Sequence, residues 1–195
     1  ANVEKILDAA LGVFASYGFR GSRIDQIAEA AGMSKPNLLY YFPTKQALYT
    51  AVLTRTLDMW LEPLRAIEPA QDPRAALTDY IKRKLAYSRS HPEASRLFAM
   101  EVMQGAPMLA PTLATDLAAL VNAKVAILSR WIDDGRLAPI DPRHLLFHIW
   151  ATTQHYADFA TQIRTLTGKG LDDEATFQSV THSVLTTLLD GVMPR

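Results

Sequence analysis

Ser22-Arg23-Ile24-Asp25-Gln26-Ile27-Ala28-Glu29-Ala30-Ala31-Gly32-Met33-Ser34-Lys35-Pro36-Asn37-Leu38-Leu39-Tyr40-Tyr41-Phe42-Pro43-Thr44-Lys45 is the stretch on which the fold turns. Ser22, with Asp25 three residues on, has the form of a capping box and predicts a short helix over roughly 23–31. Gly32 ends that helix. Ser34 caps the next one, and Pro36 is tolerated in its first turn because the N–H it removes has no helical partner there. Pro43 closes the second helix. Thr44 then caps a long one over roughly 45–67, which Pro63 should kink or end early. Two short helices joined by Ala31-Gly32-Met33-Ser34 have the dimensions of a helix-turn-helix. Gly32 suits such a turn because a positive φ costs glycine no Cβ clash.

Outward from this stretch the chain reads as helix throughout. Ile6, Ala9, Ala10 and Phe14 fall at helix-compatible intervals, and Gly18 follows as a C-terminal cap. Downstream, Asp72-Pro73, His91-Pro92 and Asp141-Pro142 each place proline where a helix can begin. Helices are expected near 73–90, 92–104, 108–134, 142–165 and 173–192. Alternating apolar runs with turn dipeptides are lacking, and glycine is sparse at 9 of 195 residues, so strands are not expected. The fold class is therefore all-α, with about nine helices. The early helices are short and the later ones long, which divides the chain into a three-helix domain over 1–46 and a helical bundle over 47–195.

Composition narrows the function classes. The 195 residues contain no cysteine, which removes disulfides, thiol nucleophiles and thiolate metal sites and fits a reducing compartment such as the cytoplasm. The longest run free of Asp, Glu, Lys and Arg is Ala175 to Leu189, 15 residues, short of the roughly 20 a bilayer span needs. A soluble protein without a membrane segment is expected. No charged-then-apolar leader opens the chain, and Ala1 in place of an initiator methionine points to a trimmed terminus or to a numbering that starts at the first ordered residue. Charge balances overall at 20 basic and 20 acidic residues, but not locally. Residues 1–57 hold six basic and four acidic side chains, and the stretch 30–57 holds Lys35, Lys45 and Arg55 with no Asp or Glu.

At about 100° per residue, Leu38 and Phe42 face the small core, Pro36, Asn37 and Tyr40 lie opposite, and Leu39 and Tyr41 flank them. That outward face suits duplex DNA. An asparagine amide pairs with adenine, a lysine reaches guanine or phosphate, and tyrosine hydroxyls reach phosphate oxygens. Lys45 sits in the first turn of the following helix, whose free N–H groups also attract phosphate, and Ser22 and Arg23 open the first helix in the same manner. An ordinary three-helix packing unit with solvated polar residues is the alternative on spacing alone. The acid-free stretch favours DNA.

Ile24 to Ala28, Gly32 to Lys35 and Leu38 to Leu48 resemble the DNA-binding domain of the TetR family. The resemblance implies a homodimeric, two-domain transcription regulator, usually a repressor that a small effector releases from a palindromic double-stranded operator. It places DNA contacts on Ser22, Arg23, Ser34, Lys35, Asn37, Leu39, Tyr40, Tyr41 and Lys45. Many members carry Tyr where this chain has Leu39, which can touch a thymine methyl instead.

Similarity to pyrimidine-responsive members of that family continues through Trp60-Leu61-Glu62-Pro63-Leu64, Ala94 to Phe98 through Gly105-Ala106-Pro107, Leu137 to Pro142, and Ile149 to Ala160. Uracil or thymine is the implied effector, with no cofactor. Chemistry agrees, since a glutamine amide complements the donors and acceptors of a pyrimidine edge and an indole offers a stacking surface. Trp60 and Gln154 are the leading contacts, with Leu64, Phe98, Glu101 and Trp150 as walls; by spacing alone Trp60, Phe98 and Trp150 read as core. Leu145, Ile149, Tyr156, Phe159, Phe177, Val184 and Leu188 form apolar stripes that pairing with a second copy would cover, unless they are buried within one subunit.

Other constellations are weaker. His144, His148 and His155 share a helical face, for which a solvated flank is a simpler account than a metal site. Asp172-Asp173-Glu174 reads as a helix start, and Lys82-Arg83-Lys84 as a solvated face. A helical enzyme acting on a pyrimidine lacks any Gly-x-Ser-x-Gly elbow, phosphate loop, His-Glu-x-x-His or cysteine nucleophile, so a non-enzymatic role is expected. A family member sensing a different small apolar ligand, in efflux or catabolism, shares the fold and differs in its pocket.

Overall fold

A computed structural model describes residues 2–192, and among these every regular element is helical. Ten helices follow in order: α1 (Asn2–Gly21), α2 (Ile24–Ala30), α3 (Lys35–Tyr41), α4 (Lys45–Arg65), α5 (Pro73–Ser90), α6 (Pro92–Met103), α7 (Ala110–Asp133), α8 (Pro142–Asp158), α9 (Ala160–Thr167) and α10 (Glu174–Val192). Two compact units result. The first gathers Ala1–Asp58 with Glu93–Pro111, and the second Met59–Pro92 with Thr112–Arg195. Helix α4 runs on from the first into the second.

Most helix starts obey their local chemistry. Ser34 accepts from the Asn37 N–H at 3.4 Å, Thr44 from Ala47 at 3.0 Å, Asp72 from Ala75 at 2.9 Å and Asp141 from Arg143 at 2.8 Å. Asp173 caps α10 by accepting from the Thr176 N–H and hydroxyl. The Lys169 ammonium and these two bonds hold its carboxyl down to about 2. The start of α2 differs from expectation. Gln26 Oε1, not Asp25, accepts the Arg23 N–H at 3.0 Å. Ser22 turns inward and donates to the carbonyls of Gly18 at 2.6 Å and Val13 at 3.3 Å.

In the first unit, Ile6, Ala10, Phe14, Ile27, Leu38, Leu48 and Val52 form the core. Phe14 meets Tyr49 edge-on at 5.0 Å, and Phe19 lies 4.9 Å from the same ring. Helix α6 joins through Glu101, a buried carboxylate that accepts from the Tyr49 hydroxyl at 3.2 Å and the Met108 N–H at 2.7 Å. Burial and the Glu101 charge push the Tyr49 phenol well above its ordinary range.

The second unit packs Leu77, Tyr80, Ile81 and Leu85 of α5 with Leu145, Leu146 and Ile149 of α8 and Leu128 and Trp131 of α7. Trp131 donates to the Pro69 carbonyl at 3.0 Å. Lys124 closes the C-terminal end of α4, donating to the carbonyls of Arg65 at 2.8 Å and Ile67 at 2.6 Å, where a cation also suits the helix dipole. By length and composition α7 is apolar enough to cross a membrane. Asp116 and Lys124 interrupt it, which is why no long uncharged run marked it in the sequence.

Pro63 lies in the last turn of α4, which ends at Arg65, short of the expected residue 67. Two expectations are corrected here. The helix expected over 142–165 breaks at Phe159, whose φ of −113° and ψ of 32° separate α8 from α9. Of the residues assigned to pairing between copies, Leu145, Ile149 and Val184 are buried within the second unit itself. Tyr156, Phe177 and Leu188 are half-buried and Phe159 is exposed. A stripe of apolar residues at helical spacing marks burial without saying which neighbour supplies it.

Gly18 sits at φ 69° and ψ 174°, a region essentially closed to residues with a Cβ, where α1 changes direction before the Ser22 clamp. Gly12 lies inside the same helix with nothing within 4 Å of an added Cβ. Gly18→Ala is expected to destabilise the protein by about 1–3 kcal/mol, and Gly12→Ala to stabilise it by about 0.4–1 kcal/mol. Urea unfolding midpoints of the two variants should move in opposite directions. A shift of the same sign in both would contradict the assignment of strain to Gly18.

Candidate DNA-binding and effector sites

Helix α3 presents Lys35, Asn37 and Tyr40 to solvent, with Tyr40 82% exposed, and Ser34 and Arg23 are exposed beside them. Leu39 and Tyr41 are half-buried. The Tyr41 hydroxyl accepts from Asn2 at 3.0 Å, and its ring meets Tyr40 edge-on at 5.4 Å. The turn between α2 and α3 uses Gly32 at φ 62°, as its sequence position suggests. An amide, two phenols and a cation thus share one accessible face, an arrangement matched to base edges and phosphates.

Two of the nine assigned contacts have other duties. Ser22 is buried, with its hydroxyl donated to main-chain carbonyls, so it holds α1 against α2 instead of facing solvent. Lys45 Nζ donates to the Phe19 carbonyl at 2.7 Å and the Ser22 carbonyl at 2.9 Å, and stands 4.6 Å from the Phe19 ring centroid. Both bonds stabilise the end of α1, where unpaired carbonyls concentrate negative charge. The acid-free stretch also proves paired. Lys35 reaches Asp25 at 3.2 Å, and Arg55 reaches Glu4 at 2.9 Å and Asp8 at 2.8 Å. The acids come from α1 and α2, outside the interval whose charge the sequence counts. The Lys35–Asp25 pair is solvent-exposed on both sides and therefore weak enough for a phosphate to displace.

In the second unit, Trp60 and Gln154 converge on a residue that sequence reasoning placed elsewhere. Lys84 is 2% exposed, its Nζ lies 3.7 Å from the Trp60 ring centroid, and it donates to Gln154 Oε1 at 3.3 Å. The Trp60 indole N–H is buried and has no hydrogen-bond partner. Tyr87 meets Trp60 edge-on at 6.1 Å and donates to Glu62, which also binds Arg83. Leu64 is fully buried. Trp150 is half-buried, with its indole N–H committed to the Tyr80 hydroxyl at 2.8 Å. Phe98 and Glu101 belong to the first unit, where both Glu101 oxygens are already engaged.

The expectation of a solvated Lys82-Arg83-Lys84 face holds for Lys82 and fails for Lys84. Lys84 occupies the buried stripe Leu77, Tyr80, Ile81, Lys84, Leu85 and Ser88, at helical spacing. A lysine at a core position of an otherwise apolar stripe was the available signal. Burial pushes its ammonium well below the ordinary lysine range, against the opposing pull of Asp158. Among the described residues, no group of three His, Asp or Glu side chains gathers as a metal site. His144 and His148 lie 6.5 Å apart on the exposed side of α8.

A buried charge with few partners destabilises a fold, and replacing it by an apolar group of similar volume is neutral or stabilising. Ligand-free Lys84→Met protein is therefore expected to melt at the same or a higher temperature. Because the folded state lowers the Lys84 pKa, the unfolded chain binds more protons between that depressed value and about 10.5, so the lysine's contribution to stability rises with pH across this window. Denaturation curves at increasing pH should show this rise in the parent protein and its loss in Lys84→Met. Parallel pH profiles would overturn the reading.

Residues 6–52 match the family model of bacterial regulatory proteins of the tetR family, and residues 53–195 that of the YcdC-like protein C-terminal region. The chain is 52% identical over 195 residues to the HTH-type transcriptional regulator RutR of Escherichia coli K12, covering 100% of this chain and 92% of that protein. It is 35% identical over 105 residues to the HTH-type transcriptional repressor SCO4008 of Streptomyces coelicolor, covering 53% of this chain and 51% of that protein. Its fold is shared with the ketosteroid transcriptional regulator KstR2 of Mycobacterium tuberculosis, with a TM-score of 0.77 at 18% identity over 100% of this chain and 96% of that one. The structure of SCO4942 from Streptomyces coelicolor gives 0.76 at 23% identity over 98% of each. A helix-turn-helix with an exposed second helix, helices throughout the rest of the described residues and these matches along the whole chain agree, and the chain belongs to the TetR family of DNA-binding transcriptional regulators.

Proposed function

We propose that this regulator is a homodimeric repressor of the cytoplasm that uracil or thymine releases from a palindromic operator. The observation that carries the effector assignment is the buried, unpartnered Trp60 indole N–H, with Lys84 lying over the Trp60 ring and donating to the Gln154 amide. A pyrimidine carbonyl supplies the acceptor that this donor lacks, while the Gln154 amide complements the ring's alternating donors and acceptors. Likeness to RutR along the whole chain supports the same reading.

Residues 1–46 carry DNA recognition and 47–195 carry effector binding and dimerisation. Arg23, Ser34, Lys35, Asn37, Leu39, Tyr40 and Tyr41 contact the duplex, with Ser22 and Lys45 positioning that face from behind. Trp60 and Gln154 hold the ring, and Leu64 and Trp150 wall it. Two copies pair through the surfaces of α8 and α10, using the exposed Phe159 with Tyr156, Phe177 and Leu188. Their recognition helices enter successive major grooves about 34–36 Å apart. Ligand favours a conformation in which this spacing no longer fits, and α4 transmits the change because it bears Lys45 at one end and Trp60 near the other. Effector and operator then weaken each other by one common factor, typically about 5- to 150-fold.

Gln154→Ala is expected to retain operator binding and lose its response to uracil in gel shifts. Dissociation by uracil at parental concentrations would overturn the effector site. For Tyr40→Ala, operator affinity should fall by about 5- to 100-fold, with calorimetric uracil affinity unchanged. An equal loss of both would remove Tyr40 from the DNA face. In a salt titration, Lys35→Ala should reduce the slope of log affinity against log salt by about one for each operator half-site, the signature of a lost phosphate contact. An unchanged slope would leave Lys35 paired with Asp25 in the complex.

A further inference from the structure

We propose that Lys84 and the Trp60 indole N–H form a donor corner selective for anionic ligands, so that among pyrimidines the regulator prefers those whose ring oxygen carries negative charge. The proposal rests on the pyrimidine reading above and goes further by stating the charge of the ligand.

The geometry holds two donors and very little to receive them. Lys84 Nζ lies over the Trp60 ring at 3.7 Å and reaches a single neutral oxygen, Gln154 Oε1, at 3.3 Å. Trp60 Nε1 has no acceptor at all, although Trp60 is only 3% exposed. An ammonium can donate three hydrogen bonds and accepts none, so a residue in this position leaves donor capacity unfilled. The indole face attracts the cation but supplies no lone pair to its remaining N–H groups.

The acidic groups that bear on the corner are Glu62 and Asp158. Glu62 is exposed and bound by Arg83 and by the Tyr87 hydroxyl. Asp158, at the last residue of α8, acts on Lys84 through space. Tyr80, on the same stripe of α5, is committed to Trp150, and Ser88 donates to the Thr153 carbonyl at 2.7 Å. A ligand oxygen placed between Trp60 Nε1 and Lys84 Nζ gains one neutral and one charge-assisted hydrogen bond, and the second strengthens as that oxygen becomes more negative. Neutral uracil satisfies the corner through a carbonyl. An ionised imide does so with a full negative charge, which favours the protonated ammonium against the burial that lowers its pKa.

Calorimetry at one near-neutral pH with uracil, 5-fluorouracil and barbiturate, probes of increasing acidity, tests this on the parent protein, Lys84→Met and Lys84→Gln. Affinity should rise along the series in the parent protein, with barbiturate bound about 10- to 100-fold tighter than uracil. Both variants should lose that gradient, binding the three compounds with closely similar affinities whatever their overall loss of affinity. The second variant guards against misfolding of the first, and thermal melting without ligand checks each. A flat or inverted series in the parent protein, or a gradient that survives in a folded Lys84 variant, would overturn the proposal. If uracil binds in a Gln154-dependent manner with no gradient, the charge preference falls and the pyrimidine reading stands. If none of the three compounds binds the parent protein, both fall together.

Discussion

Lys45, in the first turn of α4, ties the carbonyls of Phe19 and Ser22 at the end of α1, and Trp60, later on the same helix, supplies the indole under Lys84. Fifteen residues of α4 separate these two positions in the sequence. Lys45 belongs to the first unit and Trp60 to the second, and both stand on α4. Lys124 closes the far end by donating to the carbonyls of Arg65 and Ile67. Three lysines thus act on α4 at its start, along its side and at its end, and none of them serves as a solubilising surface charge.

Buried and half-buried lysines therefore explain more of this protein than its net charge does. A formal charge of zero conceals an acid-free interval around the recognition helix, but the fold returns Asp25, Glu4 and Asp8 to that interval's cations. What faces solvent on α3 is an amide, two phenols and a lysine in a displaceable surface pair. Such a face draws its affinity from shape and hydrogen bonding as much as from counterion release, which suits selective binding over indiscriminate attraction to polyanions.

The candidate effector corner concentrates costs that a fold alone does not need. An orphaned indole donor and an ammonium with a single amide acceptor both destabilise the ligand-free state. A ligand that met these donors would gain binding energy in whichever conformation presents them, the differential affinity that a shift between two states requires. Glu101 offers the contrast. Equally buried, it has Tyr49 and Met108 on its two oxygens and needs nothing further, as befits a group that binds α6 to the first unit.

Local chemistry was legible in the sequence. Ser34, Thr44, Asp72 and Asp141 begin helices, Gly18 and Gly32 take positive φ, and Asn37 and Tyr40 face outward, because each depends on residues within one or two turns. Trp60 and Gln154 were singled out by family resemblance together with their chemistry, and the structure brings them to one lysine. Tertiary structure alone decided the fate of groups whose partners arrive from afar. Ser22 turned inward, Lys35 and Arg55 acquired acids from other helices, Leu145, Ile149 and Val184 were buried within one unit, and Lys84 entered the core. Helix periodicity tells which side chains share a face, whereas burial and charge pairing depend on which neighbour covers that face.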